Sequence, residues 1–374
     1  MSKCLQHTPL HAMHLEAGAR MAPFAGYNMP IQYPLGIKHE HLHCRNQAGL
    51  FDISHMGQLR LRANNMATAA LALEALMPMD ILTLQPGRQR YGLLTNANGG
   101  ILDDLMITHA NDHYFMVVNG ACKLNDIAHL QASLPQSITL ETLHNQALLA
   151  LQGPAAVNVL EQLTPVVREM KFMQGKALSM LGTHCFISRA GYTGEDGFEI
   201  SLPADKAPEL VKHLLEFDAV QWIGLGARDC LRLEAGLCLY GHDLDSNTTP
   251  VAAGLSWAIQ PSRRLGGDRS GGFLGSDNIL TELKSGSSHC RIGLLPQGRA
   301  PIRQGSELCA NNGAIIGRVT SGSFGPTLNA PVAMGYVMSQ HAMVGNQVYA
   351  IVRGQQRPCK ITPMPFVPHR YHRS

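Results

Sequence analysis

After residue 285 the chain carries only short β-favouring stretches, RIGLL, AIIGRVTSG, VAMGYVM and NQVYAIV, cut apart by Gly, Pro and Asn turns. Before it, strand-like and helix-like segments alternate without a fixed period. That change of texture limits the fold more than any single motif. It predicts an α+β body followed by a small all-β domain over 285–374. A length of 374 residues exceeds what one ordinary core organises, so two or three domains are expected.

In the first part HYFMVVNG, CFISRAGYTG and FEISLP read as strands. AAVNVLEQL, opened by Pro154, and ADKAPELVKHLLEF, opened by Pro203, read as amphipathic helices, the latter through Leu210, Val211, Leu214 and Leu215. The Gly-, Arg- and Ser-rich run PSRRLGGDRSGGFLG over 261–275 reads as a loop or interdomain connection. No apolar run reaches the roughly 18 to 20 residues of a membrane span. Lys plus Arg number 30 against 27 Asp plus Glu, without a block of like charge, so neither a membrane nor a nucleic acid is the expected partner. The start, MSKCLQHTPLHAMHLEAG, has neither a secretory h-region nor transit-peptide character, which points to a bacterial cytoplasm. Nine cysteines without a CxxC pair are expected to be reduced and mostly buried.

Four segments carry possible chemistry. Residues 39–43, HEHLH, satisfy the HExxH zinc expression, with His39 and His43 one helical turn apart, Glu40 as a base and Cys44 beside them. A solvated histidine-rich helix face is the plainer expectation, because no further ligand motif follows. GGILDDLMITH (99–109) places Asp103 and Asp104 in an otherwise apolar strand after a turn. Alternation predicts opposite faces, one carboxylate capping the turn and the other entering an apolar pocket among Leu102, Met106 and Tyr91. An ion buried there unpaired costs several kcal/mol, the mark of a residue kept for chemistry.

The third segment, SRAGYTGEDGFEISLP (188–203), reads as a hairpin loop rich in acid, with Glu195 and Asp196 in a solvated turn and Glu199 held in the following strand. A carboxylate suits two hydrogen bonds from a guanidine-like edge such as a pterin's. In GLGARDCLRLEAGLCLYGHDLD (224–245), Ala227 to Ala235 is helix-compatible. Arg228, Asp229, Arg232 and Glu234 stand at ion-pair spacing, and Arg228 near the helix start suits a carboxylate tail.

Together with MAPFAGYNMPIQY, GLFDISHMG, LLALQGPAA, TTPVAAGLSWAI, GRAPIRQGSEL and GRVTSGSFGPTLNAPVAMGYV, these segments resemble, in order and spacing, the aminomethyltransferase (glycine cleavage T protein) family. The resemblance runs from about Thr8 to Pro368. It implies a three-domain, cloverleaf-like arrangement around a central folate channel, with a C-terminal β-barrel domain at 285–374. It divides 1–284 into two interleaved α+β domains, approximately 1–56 with 131–153 and 228–284, and 57–130 with 154–227. The implied reaction moves the methylene carbon of an aminomethyl group, carried on the dihydrolipoyl arm of a lipoylated H carrier protein, to tetrahydrofolate. Ammonia leaves and no metal takes part.

By position the resemblance assigns catalysis to Asp104, pterin binding to Glu199 and substrate binding to Arg228. Met56, Tyr91, Val118, Tyr192 and Trp257 fall at channel-lining positions. Tyr371 falls at a ligand contact, with Arg370 beside it as the alternative. The same resemblance puts HEHLH on a helix without metal. Arg263, Arg264 and Arg291 are candidates for docking an acidic carrier.

Two related architectures would be told apart by sequence. Flavin-linked oxidative demethylases of sarcosine or dimethylglycine add a dinucleotide fingerprint that is missing here. Folate-binding proteins of iron–sulfur assembly carry KGCYxGQE where this chain has RAGYTGEDG. A metalloprotease is the third alternative, resting on HEHLH alone.

Overall fold

The computed structural model describes residues 4–373. Two large sheets, a two-stranded ribbon of Arg20–Phe24 and Tyr27–Gln32, and a barrel organise them. One sheet has six strands in the order Gln174–Met180, Thr183–Arg189, Gly197–Pro203, Gln146–Gln152, Ala48–Asp52 and Val220–Trp222. The other has five, in the order Gln89–Thr95, Ile101–His109, Tyr114–Val118, Gly57–Ala63 and Ile138–Thr142. The barrel closes over His289–Pro296, Ala330–Met338, Ile315–Gly325, Glu307–Cys309, Gln347–Val352 and Gln355–Thr362. Closure leaves this region without free sheet edges, and its interior is filled by Leu294, Ile302, Leu308, Val319, Val337 and Ile361.

The strands do not follow the expected interleaving. Residues 174–203, expected with 57–130, instead extend the sheet of Ala48–Asp52 through Gln146–Gln152, with Glu199 opposite Ala150 and Phe51 opposite Ala150 on the other side. Ile138–Thr142, expected with 1–56, pairs with Gly57–Ala63. The reason is non-local pairing: Gln146–Gln152 is apolar and buried along almost its whole length, as an interior strand must be. Which neighbours it accepts is not written in its own residues.

Periodicity places the helices well. Ala207–Leu215 buries Ala207, Leu210, Val211 and Leu214 on one stripe, and Leu225–Glu234 covers the run that began at Ala227. The segment opened by Pro154 is helical only over Ala156–Leu160. The two sheets pack face to face through a shared apolar core of Phe51, Ile53, Phe115, Val117, Leu148 and Ala150, with Phe115 and Phe186 rings 4.8 Å apart. Residues on these inner faces therefore look from one sheet toward the other.

The Gly/Arg/Ser run after Pro261 is not a free linker. Arg269 pairs with Glu74 at 3.0 Å and with Asp80 at 2.6 Å, and Arg263 donates to the Glu74 carbonyl at 2.9 Å, stapling the run to the five-stranded sheet's helical layer. Of the candidate docking cations, Arg264 donates to the carbonyls of Ile259 and Ser256, and Arg291 to those of Ala253 and Gly236. Sequence composition showed charge there but not the carbonyls that consume it. Among the described residues all nine cysteines are free, and only Cys4 is fully exposed. No helix among them is long and apolar enough to cross a membrane.

Candidate functional site

The strand Ile101–His109 begins at a turn that only glycine fits. Gly99 has φ near +85°, and a Cβ on Gly100 would stand 1.9 Å from the Ser246 carbonyl oxygen. The turn is capped by the side chain of Asn96, which accepts from the backbone of Asn98 and Gly100. Neither aspartate caps it, contrary to expectation; the Asx geometry belongs to the residue four positions before Gly100.

Both carboxyls go inward. Pairing of Leu93 with Asp104 and of Tyr91 with Met106 puts Tyr91 and Asp104 on one face. Met106 belongs with the core between the sheets, while Leu105 and Ile107 point the other way, to the helical layer. The Tyr91 hydroxyl donates to Asp104 Oδ2 at 3.0 Å. Alternation does send Asp103 to the opposite face, yet it does not isolate the pair. Asn119 Nδ2 reaches Asp103 Oδ1 and Asp104 Oδ1, each at 2.9 Å. Burial, and then the charge of Asp103, push the Asp104 carboxyl up to about 7. A carboxyl held there can both give and take a proton near neutrality.

Glu199 sits in Gly197–Pro203 opposite Ser188 and Ala150. Burial raises its carboxyl above the usual range, and the nearby Arg228 guanidinium opposes the rise. Arg228 lies with its guanidinium carbon 4.8 Å over the Tyr192 ring, and its Nη1 is buried without a partner. The charge of this helix-start arginine acts on Glu199. Tyr192 links the two halves, since it feels the charges of Arg228 and of Asp104, and its hydroxyl donates to the Cys238 carbonyl. Trp257, 62% exposed, stacks on Tyr91 at 5.3 Å.

Two expected contacts, the channel-lining Val118 and the ligand-contacting Tyr371, have side chains engaged in other packing. Val118 is fully buried in the core beneath the five-stranded sheet's helices, while its neighbour Val117 faces the other sheet; the one-residue offset reverses the face. Tyr371 stacks on Phe172 at 4.0 Å, and Arg370 donates to Glu195 at 2.6 Å and to the Arg45 carbonyl at 2.7 Å. The C-terminal tail is thereby tied to a buried cluster in which Arg45 pairs with Glu195 at 2.7 Å and Glu234 at 3.1 Å. Met56 packs against the inter-sheet core. The turn predicted to be solvated is not: Glu195 is buried in this cluster, and Asp196 pairs with Arg189 at 2.5 Å.

Two side chains of this neighbourhood escaped sequence reading. Asn119, between an apolar strand and Gly120, bridges the aspartates. His55, in GLFDISHMG, is buried with Nδ1 unpartnered, and burial together with the nearby Arg228 charge pushes it down to about 4. A polar residue where an apolar strand ends was the available signal for both.

HEHLH folds as a helix, Ile37–Asn46, but not as a solvated face. Glu40 is 2% exposed and accepts the backbone N–H groups of Tyr33 and Gly224, each at 2.7 Å. His43 meets the Ala219 carbonyl and His41 meets Glu234, so these donors are spent on holding elements together. Glu40→Gln should lower stability by about 1–3 kcal/mol, since an amide cannot accept both N–H groups. Thermal melting measures the loss, and the purified protein should carry no stoichiometric zinc. An unchanged melting temperature would contradict this account.

Fold and site define a class: an α+β enzyme whose two packed sheets carry the half-buried carboxyls of Asp104 and Glu199, with Trp257 stacked on Tyr91, followed by a six-stranded barrel. The model of the GCVT N-terminal domain matches residues 10–263, and that of the glycine cleavage T-protein C-terminal barrel domain matches 290–368. The crystal structure of glycine cleavage system aminomethyltransferase T from Bartonella henselae is similar at TM-score 0.93 and 43% identity, covering 99% of this chain and 100% of that one. Mitochondrial aminomethyltransferase of Solanum tuberosum is 42% identical over 99% of this chain and 91% of that protein. That of Dictyostelium discoideum is 39% identical over 98% and 94%. The chain belongs to the glycine cleavage T-protein family of aminomethyltransferases.

Proposed function

We propose that this enzyme takes the methylene carbon of an aminomethyl group, held on the dihydrolipoyl arm of a lipoylated H carrier protein, and passes it to tetrahydrofolate. The observation that carries this reading is Asp104, poised near neutrality between the Tyr91 hydroxyl and the Asn119 amide, together with an Arg228 that lies over the Tyr192 ring and acts on Glu199. The residues suit the folate: Arg228 Nη1 is an orphaned buried donor, Glu199 is a half-buried acceptor, and Tyr91 with Trp257 offers a flat stacking surface. Tetrahydrofolate, when bound, supplies the amines that accept the carbon.

In this reading Glu199 grips the pterin's polar edge, which presents neighbouring N–H donors to one carboxylate. Arg228 steadies Glu199 and contacts the substrate. Tyr91, Tyr192, Trp257 and Met56 line the slot. Asp104 orients the two accepting amines and relays their protons as two new carbon–nitrogen bonds replace the bonds from the carbon to sulfur and to the departing amine, the protons ending on the thiol and on ammonia. The carbon–sulfur bond breaks with its electrons returning to sulfur, the dihydrolipoyl thiol reforms, and the amine departs as ammonia. No metal is needed for these transfers. The reading keeps the bacterial cytoplasm as the place of action, while the two mitochondrial names above belong to relatives.

The test is methylene transfer from an aminomethyl-loaded, lipoylated carrier to tetrahydrofolate, which the protein should catalyse. A second measurement follows binding. The chain has two tryptophans, and Trp222 is stacked with Tyr33, away from Tyr91. Tetrahydrofolate should therefore alter tryptophan emission in the wild type and much less in Trp257→Phe. Equal responses would place the ligand elsewhere.

A further inference from the structure

On the far face of the Asp104 strand lies a pair of carboxyls that the proposed reaction does not use. Asp103 is fully buried and accepts from the Asn119 backbone N–H at 3.0 Å and from Asn119 Nδ2 at 2.9 Å. Asp126, in the first turn of the helix Lys123–Ser133 and 2% exposed, lies beside Asp103, and its Oδ2 is buried without a hydrogen-bond partner. Among the described residues neither Asp103, Asp104 nor Asp126 forms an ion pair with a cation. Two adjacent carboxyls in such a place cannot both be ionised, so the pair holds a proton.

Donor count says which one keeps it. Burial raises the Asp103 carboxyl, but its two Asn119 donors favour the anion; Asp126 has none, so it is the neutral acid that donates. Burial and the Asp103 charge push Asp126 up to about 9, which fits that order. The amide that holds Asp103 also donates to Asp104 Oδ1 at 2.9 Å.

We propose that Asp126 and Asp103 are positioning residues for Asp104: Asp126 donates its proton in a hydrogen bond to Asp103, and Asp103 stays anionic. That anion fixes the Asn119 amide against Asp104 and keeps Asp104 usable as both proton donor and acceptor. The remaining titratable groups around Asp104 are Tyr91 on the adjacent strand, Tyr192, Cys238 and Cys122, and burial pushes each of them toward its neutral form at pH 7. Asp103 is thus the anion that bears on Asp104. The proposal rests on reading Asp104 as the acid–base group of the transfer.

The experiment is a carboxyl-carbon NMR titration of full-length protein labelled at aspartate, without folate or carrier, followed by turnover against pH. In Asp103→Asn the Asp104 midpoint should fall by about one pH unit, the size of a near like-charge effect. Asp126→Asn, whose amide donates permanently to Asp103, should keep the midpoint within about 0.3 unit of wild type. Asp126→Leu, without a donor, should let Asp103 take the proton and lower the Asp104 midpoint. The limb of the turnover profile should move with it. An unmoved Asp104 midpoint in folded Asp103→Asn and Asp126→Leu overturns the proposal, as does a moved midpoint that the turnover limb does not follow. Wild-type protein that titrates as described yet transfers no methylene group would instead refute the proposed function, so the two failures are distinct.

Discussion

Asp104→Asn is expected to lower methylene-transfer turnover by about 10²- to 10⁴-fold, the usual worth of a positioned acid–base group. Tetrahydrofolate affinity should stay within about threefold of wild type, because the substitution removes a proton exchange and little ground-state contact. The asparagine has nearly the same volume and its oxygen can still accept from Tyr91 or Asn119, which both bond the native carboxylate. What it cannot do is change protonation state. Single-turnover rates with aminomethyl-loaded carrier, measured beside folate binding, separate the two effects. A rate equal to wild type would remove Asp104 from the chemistry.

Glu199→Ala should act in the opposite sense, weakening tetrahydrofolate binding by about 10- to 100-fold, as expected for charge-assisted hydrogen bonds lost in a buried site. Turnover at saturating folate should fall far less. Part of the loss comes from Arg228, which burial already depresses and which Glu199 supports; without that carboxylate the guanidinium is a buried, poorly compensated charge. Glu199→Gln, which keeps shape and one acceptor, should lose less affinity than Ala. Calorimetric titration with tetrahydrofolate measures both, and thermal melting shows whether either variant is merely unfolded.

The sequence was informative where local chemistry decides and silent where partners do. The Gly99-Gly100 turn, the apolar strand carrying Asp103 and Asp104, and the strand after the RAGYTGEDG loop could all be read from residue type and spacing. Burial of Asp104 beside Tyr91 followed from the same pattern. Which sheet Gln174–Pro203 joins could not be read, because pairing of Glu199 with Ala150 is settled far along the chain. Val118 went astray for a smaller reason: a one-residue offset from Val117 carries the side chain through the sheet.

Charge was the least legible property. HEHLH, the arginines after Pro261, and Glu195 all looked solvated, yet backbone carbonyls, amides and opposite charges from distant segments consume them. The same holds for Asn119, whose importance lies in touching two aspartates at once. Composition reports that such groups exist; only the fold says what they face.

A structure of the protein with tetrahydrofolate bound tests the central claim most directly. The account predicts the pterin's amino-pyrimidinone edge on Glu199, its rings against the Tyr91–Trp257 stack, and its accepting amines beside Asp104. A separate cavity of about 670 Å³ is lined by Asp243, Asp245, Glu282, Glu307, Arg318 and Tyr336, among others, and by none of the site residues argued above. Folate lodged in that cavity, with Glu199 and Asp104 untouched, would contradict the account.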